Sequence, residues 1–444
     1  MFLAALELEI PLIDMLYVSI EQSNTLLQIG LTEIVLMALK IRLPGNAVAK
    51  APIHRRTLSR DLPINSSRVS LSTDKSDKKE TRSLTPPPPK LLDTLILGFT
   101  SPGSRAVLEK WVQFLDQCLP FYGDSIFQNL IPLVDCFCTH IESVFESLRA
   151  AFDDHHGTLP DVLEPTLVSL LNGLEQALAR AHDRLVDTEI ATVRPKSPEQ
   201  PQGFFGNMVS GVFPSDTQRS RTATANNRFT VLLCVKDAVK VCFKVWSWGD
   251  SSTDSLLREH ASSASFNYTS LRLRNRTRRI LEHLFVAEAL ECLETLIESW
   301  FEPIPSGYKT QSSILINLLH GLDGSRPRNS IPAIFNAVYS RTSPSALDPM
   351  RKSTLTSDLS DVDLVTFLVT YARSLEDDAM DEIWTDCMTF LRDVLANPLP
   401  HRQTLPKLLE FTAILGEKVD NTNFGEQRKM RRDLGVSLST LNVQ

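Results

Sequence analysis

The sequence is short of glycine, aromatic residues and long apolar runs. Glycine accounts for 17 of the 444 residues and aromatic residues for 7%, which excludes a collagen-like polymer. Seven cysteines in a chain of this length exclude a small disulfide-stapled scaffold. No uncharged apolar run reaches the roughly 18 residues that a membrane-spanning helix needs. We therefore expect any membrane contact to be peripheral.

The composition is that of a folded protein with a modest negative charge. Hydrophobic residues make up 42% of the chain, enough to build a core, and the net charge is −7. That charge argues against nucleic acid as the main partner, because such binding needs a basic face. The first residues carry Glu7, Glu9 and Asp14 and no leading basic residue, so they do not predict a signal peptide.

The cysteines lie in apolar helical patterns, such as Asp135-Cys136-Phe137-Cys138. Small buried hydrophobes are the simplest interpretation of such cysteines. We therefore expect buried thiols in a reducing compartment.

Helical periodicity dominates the chain, and no alternating pattern bounded by hairpin turns predicts a sheet. We predict an all-α, HEAT/armadillo-like helical-repeat solenoid with long disordered inserts. Residues 1–43 should form one or two helices, broken by Pro11. Beyond them we expect a basic disordered linker at 44–90, helical repeats at 91–193, a loop at 194–227, helical repeats at 228–322, a polar loop at 323–358, helical repeats at 359–435 and a tail at 436–444.

Motifs that would indicate catalysis are missing from the sequence. It has no phosphate-binding loop, zinc-protease helix, nucleophile elbow or dinucleotide fingerprint. Asp153-Asp154-His155-His156 offers metal ligands, but adjacent side chains seldom converge on one ion. We expect no enzyme activity, no catalytic residue, no metal and no cofactor.

An apolar island, GFFGNMVSGVF at 203–213, interrupts the polar loop. In helical form its large side chains would share one broad face: Phe204, Phe205, Met208, Val209, Val212 and Phe213. Such a face must be buried, either against the chain's own helices or in a membrane or partner. The sequence leaves both alternatives open, with local burial favoured.

An arginine cluster, SLRLRNRTRRI at 270–280, lies near the start of a predicted helix. It comprises Arg272, Arg274, Arg276, Arg278 and Arg279. Guanidinium groups suit phosphate, so one interpretation is an anion or phosphoinositide contact. The other, which we favour, is that they bridge to acidic helices of the array, with Glu282, Glu288, Glu291 and Glu294 close by.

Several segments, in order, resemble the fungal branch of the Dopey family. They are VLEKWVQFLDQCLPFYGDSIFQNLIPLVDCFC (107–138), TLVSLLNGLEQALARAHDRL (166–185), SPEQPQGFFGNMVSGVF (197–213), SASFNYTSLRLRNRTRRILEHLF (263–285) and EKVDNTNFGEQRKMRRDLG (417–435).

The resemblance implies a large cytosolic helical-repeat protein that is peripheral on late Golgi and endosome membranes. It implies a scaffold or adaptor role in vesicle-mediated protein transport. The partners it implies are a large helical-repeat protein related to Arf exchange factors, a flippase system and phosphoinositide membranes. Family members are several times longer, so we expect this chain to be an internal or C-terminal portion. The alternative is a lipid-handling or enzymatic helical domain with a pocket between helices.

Overall fold

The computed structural model describes residues 7–42, 86–153, 163–193, 216–248, 263–302, 311–348, 351–421, 432 and 435. Over these ranges every regular element is helical, which confirms the predicted all-α helical-repeat class. The described residues fall into two compact units, Met1–Ile126 and Phe127–Gln444.

The first unit packs four helices around Trp111. They are α1 (Glu9–Glu21), α2 (Thr25–Arg42), α3 (Lys90–Thr100) and α4 (Leu108–Tyr122). The buried Trp111 indole donates a 3.1 Å hydrogen bond to Oε1 of Gln28 on α2. Gly98 of α3 lies so close that a Cβ there would be 2.5 Å from the indole ring. A side chain at this position would therefore force the two helices apart.

The second unit stacks its helices largely in chain order. They are α5 (Ile126–Asp153, in this unit from Phe127), α6 (Leu163–Val193), α7 (Asp216–Trp246), α8 (Ser263–Phe301), α9 (Gln311–Gly321), α10 (Pro327–Thr342), α11 (Asp361–Ser374), α12 (Met380–Ala396) and α13 (Leu405–Asn421). Helix α8 packs against α7 and α10, and α11 packs against α10 and α13. This neighbour-on-neighbour packing is typical of repeat arrays, in which each helix pair buries its apolar face on the next.

A leucine stripe on α6 faces the core of this unit. Its members are buried: Leu167, Leu171, Leu174, Leu178, Ala181 and Leu185. Gly173 lies against the Phe137 ring of α5, where an added Cβ would be 2.6 Å from the ring. The heptad-like spacing therefore serves packing within the chain.

The structure corrects the predicted polar loop at 323–358, because α10 occupies its centre. Pro327 stands in the first turn, where a missing N–H costs no hydrogen bond. The apolar residues that follow repeat at helical spacing and are buried: Ile331, Ile334, Phe335 and Val338. The prolines and the polar residues between them hid this short amphipathic pattern.

Two further boundaries differ from the prediction. Pro11 lies in the first turn of α1, and the break comes at residues 22–24, where Ser23 has a φ of 52°. Helix α7 begins at Asp216, inside the predicted loop at 194–227. The predicted linker at 44–90 and the tail at 436–444 lie outside the described residues, except for residues 86–90.

Candidate functional site

Helix α8 carries the predicted arginine cluster and is broken at Glu288. This residue has a φ of −142° and a ψ of 68°, outside the helical region, so the helix has two halves, 263–287 and 289–301. The Glu288 carboxylate accepts a 2.9 Å hydrogen bond from Arg228 of α7 and lies 3.6 Å from Nε2 of His182 on α6. The break is therefore anchored to both neighbouring helices.

Two of the five predicted arginines pair with α6. Arg272 donates a 2.6 Å hydrogen bond to Glu164. Arg276 donates a 2.7 Å hydrogen bond to Oδ1 of Asn172 and a second, short one to Glu175. Because these contacts join neighbouring helices and Arg276 is largely buried, they hold the array together.

A third arginine packs on an aromatic ring. The Arg274 guanidinium lies 4.7 Å from the ring centre of Trp246, at the end of α7. This is a cation–π contact, and it places Arg274 within the packed structure as well. The glutamates that meet the cluster belong to α6, in agreement with the favoured expectation of bridges to other helices of the array, whereas the α8 glutamates named as close by bind other residues.

The remaining two arginines, Arg278 and Arg279, point outward. Both are exposed, and neither makes an ion pair or a hydrogen bond to any residue in the described ranges. The nearest acidic residue along the helix, Glu282, accepts hydrogen bonds from the backbone N–H groups of Asp323 and Gly324, at 3.1 and 2.8 Å. The positive charge of Arg278 and Arg279 is therefore left facing solvent.

Apolar side chains lie on the same side of α8 as these two arginines. Tyr268, Leu271 and Val286 are 65%, 59% and 65% exposed. Tyr268 and Val286 are 18 residues apart, which is five helical turns, and Arg279 follows Tyr268 by about three turns. We call this side the outer α8 face, defined by Tyr268, Leu271, Arg278, Arg279 and Val286. It combines large apolar side chains with unpaired positive charge.

A second exposed apolar surface runs along α2 in the first unit. Leu26 and Met37 are 82% and 62% exposed, and Ile34 and Ile41 are exposed beside them. Gly30 lies in the same row, and a Cβ there would meet no atom of the described residues within 4 Å outside its own helix backbone. We call this row the α2 stripe. Its helical spacing and open glycine suit the close approach of another helix.

The other predicted contact, the apolar island with Phe204, Phe205, Met208, Val209, Val212 and Phe213, lies outside the described residues.

The C-terminal half of α8 carries a feature that sequence reasoning missed. Glu291, Glu294 and Glu298 bind the segment 351–359, which connects α10 to α11 and which we call the strap. The glutamates are spaced i, i+3 and i+7, so they share one face of the helix. That spacing, together with the serines and threonines of the strap, was the available signal.

The cysteines and the potential metal ligands determine what reactive chemistry the described residues could support. All seven cysteines are buried and free, and burial raises the pKa of the Cys136, Cys234 and Cys242 thiols to about 12. Within the described ranges, no group of three His, Cys, Asp or Glu side chains could hold a metal ion. No described helix is long and apolar enough to span a membrane.

Comparisons with a family model and with curated proteins point to the same family. The family described as DOP1 C-terminal matches residues 367–441. "Protein dop1" of Emericella nidulans is 51% identical over 429 residues, which are 96% of this chain and 23% of the relative. The chain belongs to the Dopey (Dop1) family. "Protein DOP1" of Saccharomyces cerevisiae is 27% identical over 360 residues, 78% of the chain and 20% of that relative.

This Dopey-family chain thus spans less than a quarter of the length of the curated relatives it matches. No solved structure matches it.

Proposed function

We propose that this Dopey-family chain is part of a non-enzymatic scaffold in vesicle-mediated protein transport between the late Golgi and endosomes. In this proposal it lies peripherally on the cytosolic face of those membranes. Membership of the Dopey family supports the proposal, as does the arrangement of the helices, which leaves surfaces open for partners.

The observation that carries the membrane contact is the outer α8 face. Unpaired arginines attract the anionic headgroups of a cytosolic leaflet, phosphoinositides included. Exposed tyrosine and aliphatic side chains beside them suit the boundary between headgroups and acyl chains. Arg278 and Arg279 would bind phosphate groups, while Tyr268, Leu271 and Val286 would enter the interface.

The α2 stripe supports the scaffold part of the proposal. Large exposed apolar patches mark interaction sites, and the exposed flank residues Glu33 and Lys40 carry opposite charges, so the stripe has no net attraction for anionic lipid. The partner we propose for it is a helix of a large helical-repeat protein related to Arf exchange factors. A flippase system is a further proposed partner of the assembled scaffold.

Fluorescence microscopy of the tagged chain in Emericella nidulans tests the membrane contact. We expect the native chain to colocalise with a late Golgi marker and Arg278→Glu/Arg279→Glu to become diffuse. Arg392→Glu/Arg402→Glu is the matched control, since both arginines are exposed and the charge change is the same. Unchanged colocalisation of Arg278→Glu/Arg279→Glu would contradict the role of the outer α8 face.

Affinity purification of the same tagged chain tests the scaffold role. Leu26→Asp/Met37→Asp places two charges on the α2 stripe and should abolish recovery of a helical-repeat partner. Lys110→Asp/Gln113→Asp, on the exposed side of α4, is the control. If the native chain recovers no transport component, the scaffold proposal fails.

A further inference from the structure

The strap is held by side chains of three helices. The Glu291 carboxylate accepts both the backbone N–H and the hydroxyl of Thr354, each at 2.9 Å. Glu294 accepts the hydroxyls of Ser353 and Ser357, at 2.8 and 3.1 Å. Three of the four hydroxyl groups between residues 353 and 357 therefore donate to a glutamate.

Other polar groups complete the attachment. Arg341 of α10 donates to the Leu359 carbonyl at 2.7 Å and to Glu294 at 2.7 Å. Lys236 of α7 donates to the Thr356 carbonyl at 2.9 Å. The strap is therefore attached by polar contacts, and any change that turns a hydroxyl donor into an acceptor removes part of that attachment.

Thr354 is one of the two glutamate-bound hydroxyl residues that are not buried, and it is the one flanked by exposed basic residues. It is partly exposed, and exposed Arg351, Lys352 and Leu355 surround it in sequence. Leu355 has a φ of 55°, a left-handed conformation that a leucine rarely adopts, and its side chain projects into solvent. A basic residue three positions before a threonine and an apolar one just after it form a pattern that kinases read by charge and shape.

We propose that Thr354 is a phosphorylation site for a kinase that recognises basic residues, and that its modification releases the strap from α8. In the reaction, Thr354 Oγ1 forms an ester bond to the γ-phosphorus of ATP. The bond between that phosphorus and the β–γ bridging oxygen breaks, ADP leaves, and the hydroxyl proton passes to the kinase's base. The inference is independent of the membrane and partner contacts proposed above.

The expected consequence follows from charge. A phosphate on Thr354 places a dianion where Glu291 now accepts a hydrogen bond, and the buried Glu294 is the next acidic residue on that face. Losing the charge-assisted hydrogen bonds to Glu291 should let the strap open about 10- to 100-fold more often.

Treatment of the chain with ATP and the catalytic subunit of cAMP-dependent protein kinase tests the site directly. Mass spectrometry should find phosphate on Thr354, and hydrogen exchange at residues 353–358 should become about 10-fold faster or more. Phosphate on Ser353 or elsewhere but not on Thr354, or phosphate on Thr354 without faster exchange, would each overturn the proposal.

Two variants make the release testable without the kinase. Thr354→Glu should speed exchange of the strap as phosphate does. Thr356→Glu is the matched control, because within the described ranges the Thr356 hydroxyl is hydrogen-bonded to Thr354 Oγ1 and to no glutamate, and it should leave exchange near the native rate. Equal exchange rates in the two variants would overturn the claim that negative charge at residue 354 releases the strap by repelling Glu291.

Discussion

In the N-terminal half of α8, before the break at Glu288, arginines lie on or near the helix surface. In the C-terminal half, glutamates lie inside the fold and bind the strap. Both halves carry several like charges, so the sequence alone makes them look alike. The difference lies in what each charged side chain meets after packing.

Within the N-terminal half, too, some arginines meet a partner after packing and others do not. Arg276 meets Asn172 and Glu175 across the α6 interface, whereas Arg278 and Arg279 meet no described partner. Paired charges in a packed interface stabilise structure, and exposed unpaired charges are available to bind. Position around the helix therefore separates the paired arginine from the exposed, unpaired ones within four residues.

Glu294→Ala should produce the largest loss of stability. The substitution leaves the largely buried Arg341 without its carboxylate and two strap hydroxyls without an acceptor. We expect the free energy of unfolding to fall by about 3–5 kcal/mol. Urea unfolding followed by circular dichroism measures it, with the exposed Glu302→Ala as the control. A loss no larger than that of the control would show that the contacts of Glu294 with Arg341 and the strap do not stabilise the fold.

The reactivity of the buried thiols should also show how much Glu294→Ala loosens the C-terminal half of α8. Cys292 lies beside Glu291 in the C-terminal half and is fully buried, and burial raises its thiol pKa well above the ordinary value. The native chain should react with Ellman's reagent only through opening, and Glu294→Ala should react about 100-fold faster. Equal rates in the two proteins would show that the contacts of Glu294 do not keep Cys292 buried.

Arg276→Ala should have a smaller effect, about 1.5–3 kcal/mol, because it removes two hydrogen bonds at a largely buried interface. Arg279→Ala, only three residues away, should change stability by less than about 0.5 kcal/mol. Thermal unfolding of both variants makes the comparison. Similar losses would mean that Arg279 has a structural partner.

Much of the fold followed from the sequence, because helical periodicity survives without knowledge of neighbours. The leucines and the alanine of the stripe between Leu167 and Leu185 recur at helical spacing in the sequence, and those residues are buried. Helix α10 was missed because Pro327 and Pro332 interrupt its pattern, although a proline in the first turn is compatible with a helix.

The functional surfaces were harder to predict, for a physical reason. The arginine cluster was visible, but which members pair depends on where Glu164 and Glu175 of α6 come to lie. The strap depends on contacts about 60 residues apart in sequence, such as Ser353 with Glu294. Contacts of this kind are set by the stacking of helices, which periodicity does not encode.

Vesicle flotation tests the central claim, that the outer α8 face binds anionic membranes, most directly. Phosphatidylcholine vesicles with phosphatidylinositol phosphate would be compared with phosphatidylcholine alone, using the native chain, Arg278→Glu/Arg279→Glu and Arg392→Glu/Arg402→Glu. We predict native binding to the anionic vesicles only, an about 30-fold or greater loss in the α8 variant, and no loss in the control. Equal binding of the native chain and the α8 variant would contradict the claim.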